Sequence, residues 1–173
     1  MPRNVEIKAR VRNLEAVRKH AETLSDAPVV VLEQEDTFFR TPDGRLKLRV
    51  FPDGNGELIA YRRPDVTGPK TSEYFVYRTP RPKDLAAVLE HALGVRGVVR
   101  KRRLLYLVGQ TRIHLDLVEG LGAYLELEVV LAEGQSETEG EATARRLLAD
   151  LGVRDEDRVA EAYIDLLERE RTG

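Results

Sequence analysis

The sequence predicts an α+β protein in which antiparallel strands curl into a barrel and helices pack on its outside. Three observations point there. Several segments alternate apolar and polar residues with period two, the breaks between them are short and rich in turn residues, and the polar faces of the strands carry far more charge than a wetted sheet face needs.

The alternation covers residues 4–12, 45–50, 57–62, 73–78, 98–108, 111–118 and 123–131, all of which read as strands. Between them stand "TPDG" at 41–44, "PDGNG" at 52–56, "RPDVTGPK" at 63–70 and "EGLG" at 119–122. Breaks this short join antiparallel neighbours rather than parallel crossovers. Four segments have helical period. The first follows Asn13, a cap, and places Leu14, Val17, Ala21 and Leu24 on one face. The second runs from Pro82 to Leu93 and stops before Gly94. The third opens with a Ser136/Glu139 capping box, presents Ala144, Leu147, Leu148 and Leu151, and ends before Gly152. The fourth spans about Asp155 to Glu170, with Val159, Tyr163, Leu166 and Leu167. Neither an internal repeat nor a low-complexity linker is present.

A chain of 173 residues fits one domain, 1–173. With 42% hydrophobic and 34% charged residues it has material for a core and an unusually charged remainder. The net charge of −2 gives no reason to expect nucleic acid or an anionic membrane as partner. The absence of cysteine excludes disulfides, thiolate metal sites and cysteine nucleophiles. "MPRNVEIK" has no apolar signal core and no stretch is apolar enough for a membrane span, so a cytoplasmic location is the default expectation.

Each strand alone reads as one buried face and one wet face. Together the polar faces collect Glu6, Lys8 and Arg10; Arg45, Lys47 and Arg49; Arg62; Lys101 and Arg103; Arg112, His114 and Asp116; and Glu126 and Glu128. The signs are segregated: "RLKLR" and "RKRR" are purely basic, whereas a solvated sheet gains from opposite charges across neighbouring strands. A barrel with its charged faces inward and its apolar faces under the four helices accounts for both. Such an interior needs an anionic ligand and a cation, because unpaired buried charges cost several kcal/mol each. Of 22 Arg and six Lys, Lys8, Lys47 and Lys101 all fall on the inward face. Arg offers forked contacts to phosphate and Lys a mobile point charge.

These residues resemble the CYTH, or triphosphate tunnel metalloenzyme, family, which includes class IV adenylyl cyclases and thiamine triphosphatases. The resemblance runs through six ordered segments: "NVEIK" at 4–8, against the family's E-x-E-x-K; "QEDTFFRTPDGRLKLR" at 34–49, against its second and third strands; "YRRP" with "SEYFVY"; "VRKRRLLYLVG" at 99–109; "IHLDLVEGLGAYLELEV"; and "AYIDLL". It implies an eight-stranded antiparallel barrel around a triphosphate tunnel. It also implies a small-molecule triphosphate as substrate and Mg2+ or Mn2+ as cofactor. Glu6, Glu126 and Glu128 would be the metal ligands, with Asp116 as a further ligand or its support. Lys8, Arg10, Lys47, Arg49, Arg62, Lys101 and Arg103 would clamp the phosphates, with Lys8, Lys101 and Arg103 at the chemistry. A homodimer is allowed. Two positions depart from the family: Asn4 replaces the first carboxylate, and Arg62 stands where class IV cyclases often carry lysine. His114, with no second histidine to complete a soft site, reads as a hydrogen-bonding residue.

The leading expectation is a class IV adenylyl cyclase-like enzyme that converts ATP to cyclic AMP and pyrophosphate. A triphosphatase acting on thiamine triphosphate, inorganic triphosphate or nucleotides is the alternative, and a noncatalytic polyphosphate binder a third reading.

Overall fold

The computed structural model describes residues 3–173. In chain order it contains β1 (Arg3–Arg10), α1 (Leu14–Leu24), β2 (Val30–Phe39), β3 (Arg45–Val50), β4 (Gly56–Arg62), β5 (Lys70–Thr79), α2 (Pro82–Leu93), β6 (Val95–Val108), β7 (Thr111–Val118), β8 (Gly122–Val130), α3 (Glu137–Asp150), β9 (Arg158–Val159) and α4 (Tyr163–Thr172). The strands pair in the order β5-β4-β3-β2-β6-β7-β8-β1. A further antiparallel pairing of β1 with β5, from Arg3 opposite Glu73 to Glu6 opposite Lys70, closes these eight strands into a barrel. The two-residue β9 continues that edge of β1, pairing with Lys8 and Ala9 where β5 has ended.

Local sequence accounts for most element boundaries. Asn13 accepts the amide of Ala16 to start α1, and Ser136 and Glu139 exchange hydrogen bonds as a capping box to start α3. β6 and β7 meet in a two-residue hairpin at Gly109-Gln110, where Gly109 has φ 55°, a left-handed value that glycine adopts freely. Alternation alone does not mark β2, where Val30, Val31 and Leu32 follow one another; the family resemblance, which starts at Gln34, implies only its second half. The fourth helix begins at Tyr163 and not near Asp155. A 3-10 turn at Asp155–Asp157 and the strand β9 come first, because this stretch pairs with β1 instead of coiling.

The sheet turns its apolar faces outward, as the charged faces require. Val5, Ile7, Ala9, Ile113, Leu115, Leu125, Leu127 and Val129 form one core with Val17 and Ala21 of α1 and Ala144, Leu147 and Leu148 of α3. Gly140 lets α3 approach β1 closely: a Cβ there would meet Leu131 at 2.6 Å and Val5 at 2.8 Å. The expectation that all four helices cover outer faces holds only in part. A second core gathers Phe38, Val99, Val118 and Tyr124 with Val159, Tyr163, Ile164 and Leu166, so the segment from β9 into α4 stops one end of the barrel. On β5, Phe75 and Tyr77 stay exposed on the outside. No helix among the described residues is long and apolar enough to cross a membrane.

Candidate active site

The barrel encloses a cavity of about 670 Å³. Because side chains alternate along a strand, each strand contributes every second residue to its wall. Glu6 and Lys8 come from β1; Gln34, Asp36 and Phe38 from β2; Lys47 and Arg49 from β3; Glu57, Ile59 and Tyr61 from β4; Lys101 and Arg103 from β6; Arg112 and His114 from β7; and Glu126 and Glu128 from β8. Ala162 and Tyr163 form the floor at the stopped end. Leu32, Leu105, Val76 and Arg78 line the opposite end, where Val76 and Arg78 are exposed.

The cations are held by sparse negative charge. Asp36 accepts two bonds from Arg49, at 2.8 and 2.7 Å, and lies 3.2 Å from Lys47 Nζ. Lys8 Nζ is 3.6 Å from Glu126 and donates to the Glu161 carbonyl at 3.1 Å. Arg103 Nη2 lies 3.8 Å from the same Glu126. Arg63 is 3.5 Å from Glu6, and Arg112 2.8 Å from Glu128.

Burial dominates the ionisation of these groups. It pushes Lys101 down to about 7, with Arg103 adding to the effect, and Lys8 down to about 8. Lys47 is lowered by the same cause. Burial raises Glu6 to about 7, and the neighbouring Glu128 carboxylate adds to it. Glu126 is buried too, yet Lys8, Arg103 and Lys101 hold it well below the usual carboxylate range. Burial, then Arg103, pushes His114 down to about 3, so its ring is neutral at ordinary pH. The Nδ1 of that ring has no partner, nor do the side-chain oxygens of Asn4 and Gln34 or the Nε of Arg63, all of which line the cavity. Buried polar atoms left without partners point to an occupant that supplies them.

Most of the residues that the resemblance assigns to the site converge here, and three do not; Arg45, also on the charged faces, pairs with Asp65 and Asp165 outside the cavity. Arg62 is turned outward, paired with Asp43 at 3.3 Å in solvent, and Arg63 takes the inward position. The alternation read at 57–62 puts Arg62 inward, but in "ELIAYR" Leu58 and Ala60 on one face and Ile59 and Tyr61 on the other are all apolar, so the pattern is degenerate; Glu57, Ile59 and Tyr61 face inward and Arg63 continues their row. Arg10 is exposed beyond the floor, its Nη1 donating to Tyr124 Oη at 2.8 Å, because Tyr124 and α4 close the barrel before the strand ends. Asp116 is fully buried but does not line the cavity. It accepts Arg103 twice, at 2.7 Å each, and Tyr163 Oη at 2.8 Å, which leaves it supporting Arg103. Sequence reasoning missed Arg63, Asp36 and Tyr163 as site residues. The alternation of Gln34, Asp36 and Phe38 was a usable signal for Asp36.

No group of three or more acidic or histidine side chains is gathered around a single point among the described residues. The donors nonetheless suit a hard divalent cation. Glu6 and Glu128 are direct register partners facing the cavity, and the free Asn4 oxygen lies on the same face of β1.

A family model for the CYTH domain matches residues 2–163. No curated protein sequence matches significantly. Among solved structures, one of a Pyrococcus horikoshii protein is similar with 26% identity and a TM-score of 0.84, covering 94% of this chain and 98% of that one. A Vibrio parahaemolyticus protein described as a candidate adenylate cyclase has 21% identity and a TM-score of 0.79, over 95% and 97% of the two chains. A Hippeastrum protein has 17% identity and a TM-score of 0.70 over 96% of each chain; it is described as a candidate adenylyl cyclase with a dominant triphosphatase activity. With the barrel, its charged interior and a model match over nearly the whole length, the chain belongs to the CYTH domain family.

Proposed function

We propose that this protein is a divalent-metal-dependent enzyme that acts on a triphosphate held in the barrel. The observation that carries the reading is the convergence of Lys8, Lys47, Arg49, Arg63, Lys101 and Arg103 from three strands and one strand end on a single cavity. Only a polyanion offers enough acceptors and charge for six such groups, and phosphoryl chemistry needs this positioning and neutralisation more than covalent help.

Glu6, Glu126 and Glu128 would hold the Mg2+ or Mn2+, with Asn4 able to add a neutral oxygen. When bound, the cation would neutralise phosphate oxygens and polarise the reacting phosphorus. The chain's own residues do the remaining work. Arg49 and Arg103 each give Nε and Nη2 to an aspartate, Asp36 and Asp116, which fixes their orientation and leaves their remaining Nη donors for phosphate. Lys8 and Lys101, with lowered proton affinity, become fully protonated as an anion approaches. Neutral His114 is free to donate or accept at one ring nitrogen.

Along β8 the inward residues run from Tyr124 at the floor through Glu126 to Glu128, and along β1 from Lys8 to Glu6. A chain entering phosphate-first therefore carries its terminal group to the lysines and an inner phosphorus nearer to Glu6 and Glu128. This supports attack by a ribose hydroxyl on the innermost phosphorus with pyrophosphate leaving toward the floor, the adenylyl cyclase-like reading. The second reading, hydrolysis of the terminal phosphate, draws support from the same deep lysines and from the activity described for the Hippeastrum protein of this fold. Incubating purified protein with ATP and Mg2+ or Mn2+ separates them. Cyclic AMP with pyrophosphate supports the first, ADP with orthophosphate the second. Absence of turnover over ATP, thiamine triphosphate and tripolyphosphate would sink both.

A further inference from the structure

Tyr163 opens α4 and reaches through the floor into the charged interior. Its hydroxyl donates to Asp116 Oδ2 at 2.8 Å, on a carboxylate already gripped twice by Arg103. Its ring receives two cations: Lys8 Nζ lies 4.0 Å from the centroid and Lys101 Nζ 5.0 Å. These lysines come from β1 and β6, which are not neighbours in the barrel. Tyr163 thus contacts Lys8 and Lys101 and also reaches Arg103, through Asp116.

Two buried ammonium groups brought to one place repel each other. A carboxylate set between them would relieve the repulsion but would then compete with phosphate for both. An aromatic face attracts cations through its quadrupole without a net charge. It can hold two lysines and leave their charge available to an anion. Of the carboxylates near them, Glu126 lies 3.6 Å from Lys8 Nζ at the cavity wall, whereas Asp116, 3.8 Å from Lys101 Nζ, is turned into Arg103 and Tyr163, away from the cavity. Leu166, one turn further along α4, is buried in the same core and does not line the cavity.

We infer that Tyr163 is a positioning residue for the basic clamp: its ring fixes Lys8 and Lys101 at the floor, and its hydroxyl fixes Arg103 through Asp116. The inference rests on the triphosphate reading and assigns the C-terminal helix a part in it beyond stopping the barrel.

The test compares wild type, Y163F, Y163L and L166A for binding of tripolyphosphate by calorimetry without added metal, alongside thermal unfolding. L166A removes core packing from the same helix and is expected to lower the melting temperature while holding affinity within about twofold. Y163F keeps the ring and loses the donor, and is expected to weaken binding about threefold. Y163L loses both and is expected to weaken it about tenfold or more. Equal affinity in wild type and Y163L, or an equal loss in L166A, would overturn the inference. Should Y163L fail to fold, Y163F decides: unchanged affinity together with an unchanged Arg103 Nε–H resonance overturns it. Failure of wild type to bind tripolyphosphate would instead overturn the triphosphate reading on which it stands.

Discussion

Glu6 of β1 stands directly opposite Glu128 of β8 in the antiparallel register, and both carboxylates line the cavity. Like charges in this relation destabilise a sheet, and here they are also buried. Burial, then Glu128, raises Glu6 to about 7 from an ordinary 4.5. Between those two pH values the folded state keeps a proton that the unfolded state has lost, so the contribution of Glu6 to stability falls as pH rises through the window and is least favourable above it.

E6Q is therefore expected to be at least as stable as wild type at pH 8 in the presence of a chelator. Each 1 kcal/mol gained raises the melting temperature by about 2–4 °C for a chain of this size. Mg2+ or Mn2+ should stabilise wild type and not E6Q or E128Q, since a ligand that binds only the folded state raises its stability by mass action. E126Q should keep its fold and lose metal-dependent turnover by about a hundredfold or more. Wild-type turnover in E126Q would remove Glu126 from the site, and an equal metal shift in E6Q would remove Glu6.

The lysines give an opposite slope at higher pH. Burial, as the leading cause, lowers Lys101 to about 7 and Lys8 and Lys70 to about 8, whereas the unfolded chain titrates near 10.5. Above pH 7 the unfolded state binds more protons, so stability is expected to rise with pH from about 7 towards 10.5. A bound polyanion favours the ammonium forms. Tripolyphosphate binding at pH 8 should take up protons, read as a dependence of the calorimetric enthalpy on the ionisation heat of the buffer. A flat stability profile with no proton uptake would mean that these lysines are not desolvated.

The neighbouring arginines at the end of β4 should behave differently. Arg62 pairs with Asp43 in solvent, and such a pair contributes little; R62A is expected to leave triphosphate affinity within about twofold. Arg63 is buried against Glu6 with its Nε unpartnered. R63A is expected to weaken binding about tenfold or more, the scale of a lost charge-assisted hydrogen bond. The reverse pattern, measured by direct titration, would show that the register of this strand is shifted by one residue.

Gly140 carries a packing prediction independent of the site. A methyl there would stand 2.6 Å from Leu131 and 2.8 Å from Val5 in the core between α3 and β1. Overpacking of about 1–3 kcal/mol outweighs the helix propensity that alanine gains over glycine, about 1 kcal/mol. G140A should melt several degrees lower than wild type, while E141A, beside it on the partly exposed side of α3, should not. A G140A protein as stable as wild type would mean that the helix can shift outward freely.

Much of this was legible along the chain because it depends on neighbours in sequence. Period-two alternation set which residues of β1, β3, β6, β7 and β8 share a face, so Glu6, Lys8, Lys47, Arg49, Lys101, Arg103, Glu126 and Glu128 could be grouped before any coordinates. Caps at Asn13 and Ser136 and the Pro82–Gly94 frame set the first three helices for the same local reason. Where both faces are apolar, as in "ELIAYR", or where three apolar residues follow one another, as at Val30 to Leu32, the local pattern is degenerate.

By itself, then, the sequence determined a charged-inside barrel and the membership of most of its inner wall, since alternation and segregated charge are properties of single strands. Only the tertiary structure decided where that wall ends. The Asp155–Leu166 segment pairs with β1 and packs against Tyr124 and Phe38, leaving Arg10 outside and bringing Tyr163 within reach of Lys8, Lys101 and Asp116. Residues more than a hundred positions apart meet there, and their meeting depends on barrel closure and core packing rather than on any pattern within one segment.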